Sequence, residues 1–542
     1  MTTDITARRR TTALVGTGTL LRLGARRDRI MLPIWLYVLV ALAVGTAFSF
    51  KGLYPTVASR IAFAVEVGGN GGLKALTGPT FDLTSIGGLT AWRVGASAAV
   101  LVGLMNVFTV VRHTRAEEQD GRLELIGAGV VGRHAPLAAA VGLAVITDLL
   151  IGAVIAIGLV AIGQPAAGSI ALGAELAAVG AAFAGIAAVA AQVTESSRAA
   201  NGIASAVLGA AYLFRAIGDS ATTSGLSWLS WLSPIGWGQR VRPFAGERWW
   251  VLALPIGAAA LTVWLAGALV ARRDLGAGLL PARPGRADAR GLATPLALAW
   301  RLQRGALLAW LIAFAVLGVA LGGIAQDMAG LVNTSSQLHS IIAELGGVNG
   351  IVDEFLAAML GLLGLVAAVF TVQAVLRLRT EETAQRAEPV LATRTSRVAY
   401  AASHLTIAVV GGAALLAVGG ATMGLADGLR TGNLRTELPS LLASALAQVP
   451  AAWVLAGVAL ALFGLLPRIA VAGWAALVVC LLLGELGPTL HVPQWAMDVS
   501  PFTHVPKLPG GQFTGTPIGW LLVVSVVLAV AGLIGFRRRD IG

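Results

Sequence analysis

Long apolar stretches alternate with short polar ones along the whole chain. Twelve apolar runs stand out, at roughly 30–50, 94–111, 136–161, 171–192, 201–217, 250–271, 305–324, 355–376, 398–420, 439–464, 469–488 and 517–536. A bilayer core about 30 Å thick takes about 20 residues of helix. Backbone in lipid has to bond within its own segment, so such runs form helices rather than open sheet. The pattern predicts an all-α polytopic membrane protein with twelve transmembrane helices. The Ala, Leu, Val and Gly content suits helices packed closely through small residues.

The polar stretches repeat. Arg115-Ala-Glu117-Glu118-Gln-Asp-Gly121-Arg122-Leu-Glu124 returns 264 residues later as Arg379-Thr-Glu381-Glu382-Thr-Ala-Gln385-Arg386-Ala-Glu388, and the same step carries Arg133 onto Arg397. A short amphipathic stretch precedes the first span of each half: Leu20-Leu21-Arg22-Leu23 and Ala299-Trp300-Arg301-Leu302. Both read as interfacial elbow helices. Phe108-Thr109-Val110 and Phe370-Thr371-Val372 end the second and eighth spans, and Trp-x4-Ser-Pro occurs at Trp228…Ser233-Pro234 and Trp495…Ser500-Pro501. The chain is therefore read as two parallel six-helix repeats. Residues 1–29 are an N-terminal segment, 30–271 the first half, 272–304 a basic linker with the second elbow helix, 305–536 the second half and 537–542 a tail. The linker 272–298 is Pro/Gly-rich and reads as a tether. The outer segments 51–93, 218–249, 325–354 and 489–516 are long for plain turns. Trp228, Trp231, Trp237, Trp249 and Trp250 gather in one of them, which reads as a re-entrant or interfacial hairpin.

Charge sets the expected orientation. With the amino terminus inside, the inner segments hold 28 of the 39 lysines and arginines: seven before 30, four in 112–134, Arg198, seven in 272–304, five in 377–397, Arg468 and the three from 537 to 539. The positive-inside rule then places both termini in the cytosol of a cell (plasma) membrane protein. Lys51, Lys74 and Lys507 fall outside. Charged residues are only 12% of the chain and mean hydropathy is +0.80, against about a quarter charged in soluble domains. The net charge of +12 belongs to arginines beside anionic headgroups, and no nucleic-acid partner is expected. The first run follows 29 polar residues without a credible cleavage site and reads as an anchor. Cys480 is alone, so no disulfide frame is expected.

As a helix, the charged motif would pair Glu118 with Arg122 and Glu382 with Arg386, four apart with the acid first. It would present Glu117, Gly121 and Glu124, or Glu381, Gln385 and Glu388, as an acidic edge. Two such protruding elements suit a two-fold partner. No lysine is followed by Ser or Thr, so a phosphate-cradling Walker loop is missing and ATP hydrolysis would fall to another polypeptide. The histidines (His113, His134, His339, His404, His491 and His504) show no metal-binding spacing, and no catalytic or metal site is expected.

The Arg-x-Glu-Glu-x-x-x-Arg-x-Glu run between the second and third spans of a six-span unit resembles the coupling-helix loop of ABC type-2 exporter permeases. With the elbow and the Ser-Pro hairpin, the match covers nearly the whole chain. The fusion of two halves is similar to the actinobacterial permeases of the tetronasin-resistance type, including mycobacterial multidrug efflux permeases. The resemblance implies two copies of an ABC ATPase subunit, which hold ATP and magnesium and dock on Arg115, Glu117, Glu118, Gly121, Arg122 and Glu124, and on Arg379, Glu381, Glu382, Arg386 and Glu388. This chain departs from the pattern at Gln385 and Pro389. The resemblance further implies a central pathway lined by the second and fifth spans of each half, for a small amphipathic substrate. Its candidate residues are Asn106, Phe108, Tyr212, Phe214, Phe370, Gln373 and Trp474.

The rival reading is a proton-coupled secondary drug transporter, since twelve spans in two halves suit that class too. Its loop signature, Gly-x-x-x-Asp-Arg, is absent from Arg112-His113-Thr114-Arg115. Asp148, mid-way along the third span, is open to three roles: interhelical hydrogen bonding, substrate or cation contact, and proton relay. Glu175, Arg215 and Glu485, near outer span ends, read as snorkelling or interfacial groups.

Overall fold

A computed structural model describes residues 13–68, 71–220, 225–280, 290–332, 347–486 and 493–540. Among them there is no strand, and twelve helices are long and apolar enough to cross a membrane. In order these are Met31–Leu53, Ile86–Gln119, Ala135–Ala161, Ala166–Val193, Ser197–Ser220 and Trp249–Arg272, then Pro295–Gly323, Val352–Thr383, Arg397–Thr431, Leu434–Leu465, Pro467–Gly484 and Gly515–Arg538. The chain is an all-α, multi-pass membrane protein. It divides into two compact units, Met1–Gly285 and Arg286–Gly542, each with six spans.

Glycine lets the spans of each unit touch backbone to backbone. In the first unit the third and fourth spans meet at Gly152 and Gly173, where a Cβ on Gly152 would sit 2.5 Å from the Gly173 carbonyl oxygen. In the second unit Gly464 and Gly532 join the tenth and twelfth spans in the same way. Lipid tails are as apolar as leucine, so close packing of this kind, rather than water exclusion, holds such helices together.

Several expectations change. The first elbow is a separate helix, Thr17–Arg27, followed by a turn before the first span. The second is not separate: Pro295–Val332 runs as one helix through Trp300-Arg301-Leu302. Pro33 accounts for the break in the first half. It lacks an N–H for the Arg29 carbonyl and its ring disfavours straight continuation; in the second half the only proline of the helix is Pro295 at its first residue, where it is tolerated. The second span begins at Ile86 rather than near 94, because Ser85 caps it, its Oγ accepting from Gly88 N–H at 2.9 Å. The outer segment before it also carries helices Val57–Gly68 and Gly71–Thr77. The tryptophan-rich segment enters the unit. Ser233 Oγ accepts from Gly236 N–H at 3.3 Å and caps the helix Pro234–Gln239, whose Ile235, Gly236, Gly238 and Gln239 are buried, while Trp228, Trp231, Trp249 and Trp250 stay exposed. Of the linker, 273–280 is not a free tether: the N–H groups of Leu279 and Leu280 donate to the Gln192 and Val193 carbonyls. The linker residues 281–289, His339 and His491 lie outside the described residues.

Candidate functional site

The second span continues past the apolar run into a wider π-helical turn, Arg112–Ala116, and a last turn, Glu117–Gln119. Gly121 then takes φ 72°, and a short helix Arg122–Gly127 starts in a new direction. In the second unit the eighth span runs through to Thr383, and Gln385, the residue matching Gly121, takes φ 56°. The chain thus turns at the same place in both halves. Glycine adopts that left-handed backbone freely, and glutamine does so at a cost.

The turn overrides the expected pairs. Arg122 Nε lies 3.1 Å from Glu117 Oε2, not on Glu118. In the second unit Arg386 Nε lies 2.8 Å from Glu381 Oε2, not on Glu382. With the helix broken at the intervening residue, positions four apart no longer share a face. The acids do not form an exposed edge either. Glu117 and Glu381 are buried, and the side chains of Glu118 and Glu382 are no more than a tenth exposed.

Each inner acid is held by arginines from elsewhere in its own unit. Glu118 lies 2.6 Å from Arg115 and 2.5 Å from Arg273, the residue just beyond the sixth span. Glu382 lies 3.2 Å from Arg379 and 2.8 Å from Arg539, just beyond the twelfth. Arg133 donates to the Arg273 carbonyl at 2.6 Å, and Arg397 donates to the Arg539 carbonyl. Arg115, with no side-chain exposure, also donates to the carbonyls of Ala191 (2.8 Å) and Ala277 (3.1 Å). Sequence reasoning did not find Arg273 and Arg539. The available signal was an arginine directly after the last span of each half, 266 residues apart.

The outer acid is held differently in the two units. Glu117 lies 2.7 Å from Arg27 of the elbow helix, whereas Glu381 lies 2.6 Å from Arg377 of its own helix. Arg377 matches His113, which in the first unit turns to Asp28 (2.6 Å), as does Arg112 (2.8 Å). Burial alone would raise the Asp28 carboxyl. The hydrogen bond and charge of His113, with the charges of Arg112 and Arg27, outweigh it and hold Asp28 below the usual carboxylate range. What stays exposed at the turns is Gln119, Asp120, Arg122, Glu124, Leu125 and Val130 in one unit, and Thr383, Gln385, Arg386, Glu388 and Pro389 in the other.

The pathway candidates scatter. In the first unit Asn106 and Asp148 are buried, and Asn106 Nδ2 donates to Asp148 Oδ1 at 2.8 Å, joining the second and third spans. Phe108 and Phe214 are exposed. Tyr212 donates to the Leu76 carbonyl at 3.1 Å, with the Arg215 guanidinium 4.5 Å from its ring centre. In the second unit Phe370 is buried, yet with Gln373 and Trp474 it lines a cavity of about 230 Å³. Glu175 and Arg215 do not snorkel: both are buried, and Arg215 donates to the Ala75 carbonyl at 2.7 Å. The side chain of Glu485 lies outside the described residues. Among the described residues no His, Cys, Asp and Glu group is placed to hold a metal.

Fold and site together define a duplicated twelve-span membrane protein with a matched, arginine-clamped acidic turn in each half. The family described as "Multidrug efflux system permease Rv1217c, C-terminal domain" matches residues 292–537. The "Multidrug efflux system permease protein Rv1217c" of Mycobacterium tuberculosis (strain ATCC 25618 / H37Rv) is 41% identical over 534 residues, covering 98% of this chain and 96% of that protein. The chain belongs to this family of multidrug efflux permeases, as its resemblance to the fused mycobacterial permeases implied.

Proposed function

We propose that the protein is the transmembrane subunit of an ATP-driven exporter of amphipathic compounds, powered by two copies of a separate ABC ATPase that hold the ATP and magnesium. Its arginine-rich ends and both termini face the cytosol. The observation that carries this reading is the duplicated turn: the same Glu-Arg architecture recurs in two units, each leaving a small exposed tip. The kinship with a named multidrug efflux permease supports the substrate class. The buried acids Glu117, Glu118, Glu381 and Glu382 hold the element in place. Docking falls to the exposed tips, Arg122, Glu124 and Leu125 in one half and Arg386 and Glu388 in the other. ATP binding would draw the two motor subunits together, and the tips would pass that motion to the spans, switching access from inside to outside.

The test is co-expression with a candidate ABC ATPase subunit from the same organism. A 1:2 complex with substrate-stimulated ATP hydrolysis is expected, and Glu124→Arg/Leu125→Asp/Glu388→Arg abolishes assembly or stimulation. If no ATPase associates and dye efflux from proteoliposomes follows a proton gradient, the secondary-transporter reading replaces this one.

A further inference from the structure

A cavity of about 680 Å³ opens in the second unit at the end of the eighth span opposite Arg379. Its walls include Asp353, Glu354, Gln448, Phe502, Val505 and Lys507. On the eighth span Asp353, Ala357 and Gly361 follow one another at helical spacing, so two acids head a groove of small side chains. Phe502 and Val505, from the turn after Ser500-Pro501, supply the apolar wall facing it. The volume falls within the range of about 300–1,000 Å³ typical of small-molecule sites.

Three features give the cavity a chemical preference. Among the described residues neither Asp353 nor Glu354 forms an ion pair. Lys507 is the one cation among the described lining residues. Gln448 is 5% exposed, and its Oε1 has no hydrogen-bond partner. A buried acceptor left unpaired is costly, so this oxygen calls for a donor. Gln448 also sits where the tenth span kinks, between Leu434–Leu446 and Val449–Leu465. Pro450, lacking an N–H, leaves the Leu446 carbonyl without its helical donor. Interrupted spans of this kind are where membrane transporters build polar sites. The first half has no copy of the acidic wall: the residues 264 earlier are Leu89 and Thr90, and those 262 earlier are Ala91 and Trp92.

We propose that this cavity is a recognition site for amphipathic organic cations, present in the second half only. A protonated amine faces Asp353 and Glu354 beside the Gln448 side chain, and the apolar body lies along Phe502, Val505 and the small residues of the eighth span. The proposal rests on the efflux reading above and assigns that reading its cationic substrates.

The test measures binding of two fluorescent probes, the cation ethidium and the uncharged Nile red, to the full-length chain in lipid nanodiscs. Asp353→Asn/Glu354→Gln is expected to raise the Kd for ethidium by about ten-fold or more and to leave Nile red unchanged. Gln448→Leu weakens ethidium less. Ala358→Trp, at an exposed position on the same wall, blocks ethidium without altering the unfolding temperature. An unchanged ethidium Kd in the charge variant or in Ala358→Trp overturns the proposal, as does equal weakening of both probes. If the wild type binds Nile red but not ethidium, the cation site falls and the efflux reading stands. If it binds neither, both fall.

Discussion

Glu118 and Arg273 lie 2.5 Å apart, tying the turn after the second span to the end of the sixth. Glu382 and Arg539 repeat the tie at 2.8 Å in the second unit. Within each unit, then, a displacement of the acidic turn pulls directly on the last span. The two pairs join residues 155 and 157 positions apart, so the link is tertiary and exists only in the folded unit.

Removing both partners of that pair should cost less than the two single losses added together. The Glu118 and Arg273 side chains are each less than a tenth exposed, and breaking a buried ion pair from one side costs about 3–5 kcal/mol. Arg273→Gln is expected to lower the unfolding temperature in detergent. Glu118→Gln/Arg273→Gln is expected to lower it by less than the two single changes together. An additive cycle would show that the two residues do not act as a pair.

The matched turns should respond in opposite directions to opposite changes. Gln385 sits at φ 56° where the first half has Gly121 at φ 72°, and a Cβ on Gly121 meets nothing within 4 Å. The penalty is therefore conformational, about 1 kcal/mol. Gln385→Gly should stabilise the protein by up to about that amount and Gly121→Gln should destabilise it by a similar amount. Thermal unfolding of the two variants side by side decides it, and a shared sign would contradict the account.

The Asn106–Asp148 bond joins the second and third spans inside the first unit. Asp148→Asn can keep a hydrogen bond to Asn106 by reorienting the two amides, so dye efflux is expected to survive it. Asn106→Leu removes the bond and should cost about 0.6–2 kcal/mol, the range for such bonds between membrane helices. Efflux abolished by Asp148→Asn in a folded protein would instead point to proton relay.

Asp28 sets an acid limit on the elbow. Its carboxyl is held below its ordinary value of 3.8, so its contribution to stability is present above that pH and is lost as pH falls through the lower folded value. Wild type should exceed Asp28→Asn in unfolding temperature from pH 7 down to pH 5, and the gap should close below about pH 4. A gap that stays constant down to pH 3 would remove Asp28 from the clamp.

Twelve spans, two repeats and a charged element in each were legible in the residues, because a run too apolar for water and a polar interruption are local properties. The left-handed turn was half visible, at Gly121. At Gln385 nothing local announced it, and the surrounding fold imposes it. The pairing itself was not legible. Local spacing offered Glu118 to Arg122, whereas the fold brings Arg115 and Arg273 to Glu118 and Arg27 to Glu117. Nor could the residues tell which way a span faces. Lipid and protein interior are equally apolar, so the spans carry no polar stripe that would separate buried Phe370 from exposed Phe108. The same holds for Glu175 and Arg215, which helix packing, not their position near a span end, draws inside. The Gln448 kink was written in Gln448-Val449-Pro450, a polar residue and a proline within an apolar run. Only the packing of the eighth span against the Pro501–His504 turn makes it one wall of a cavity.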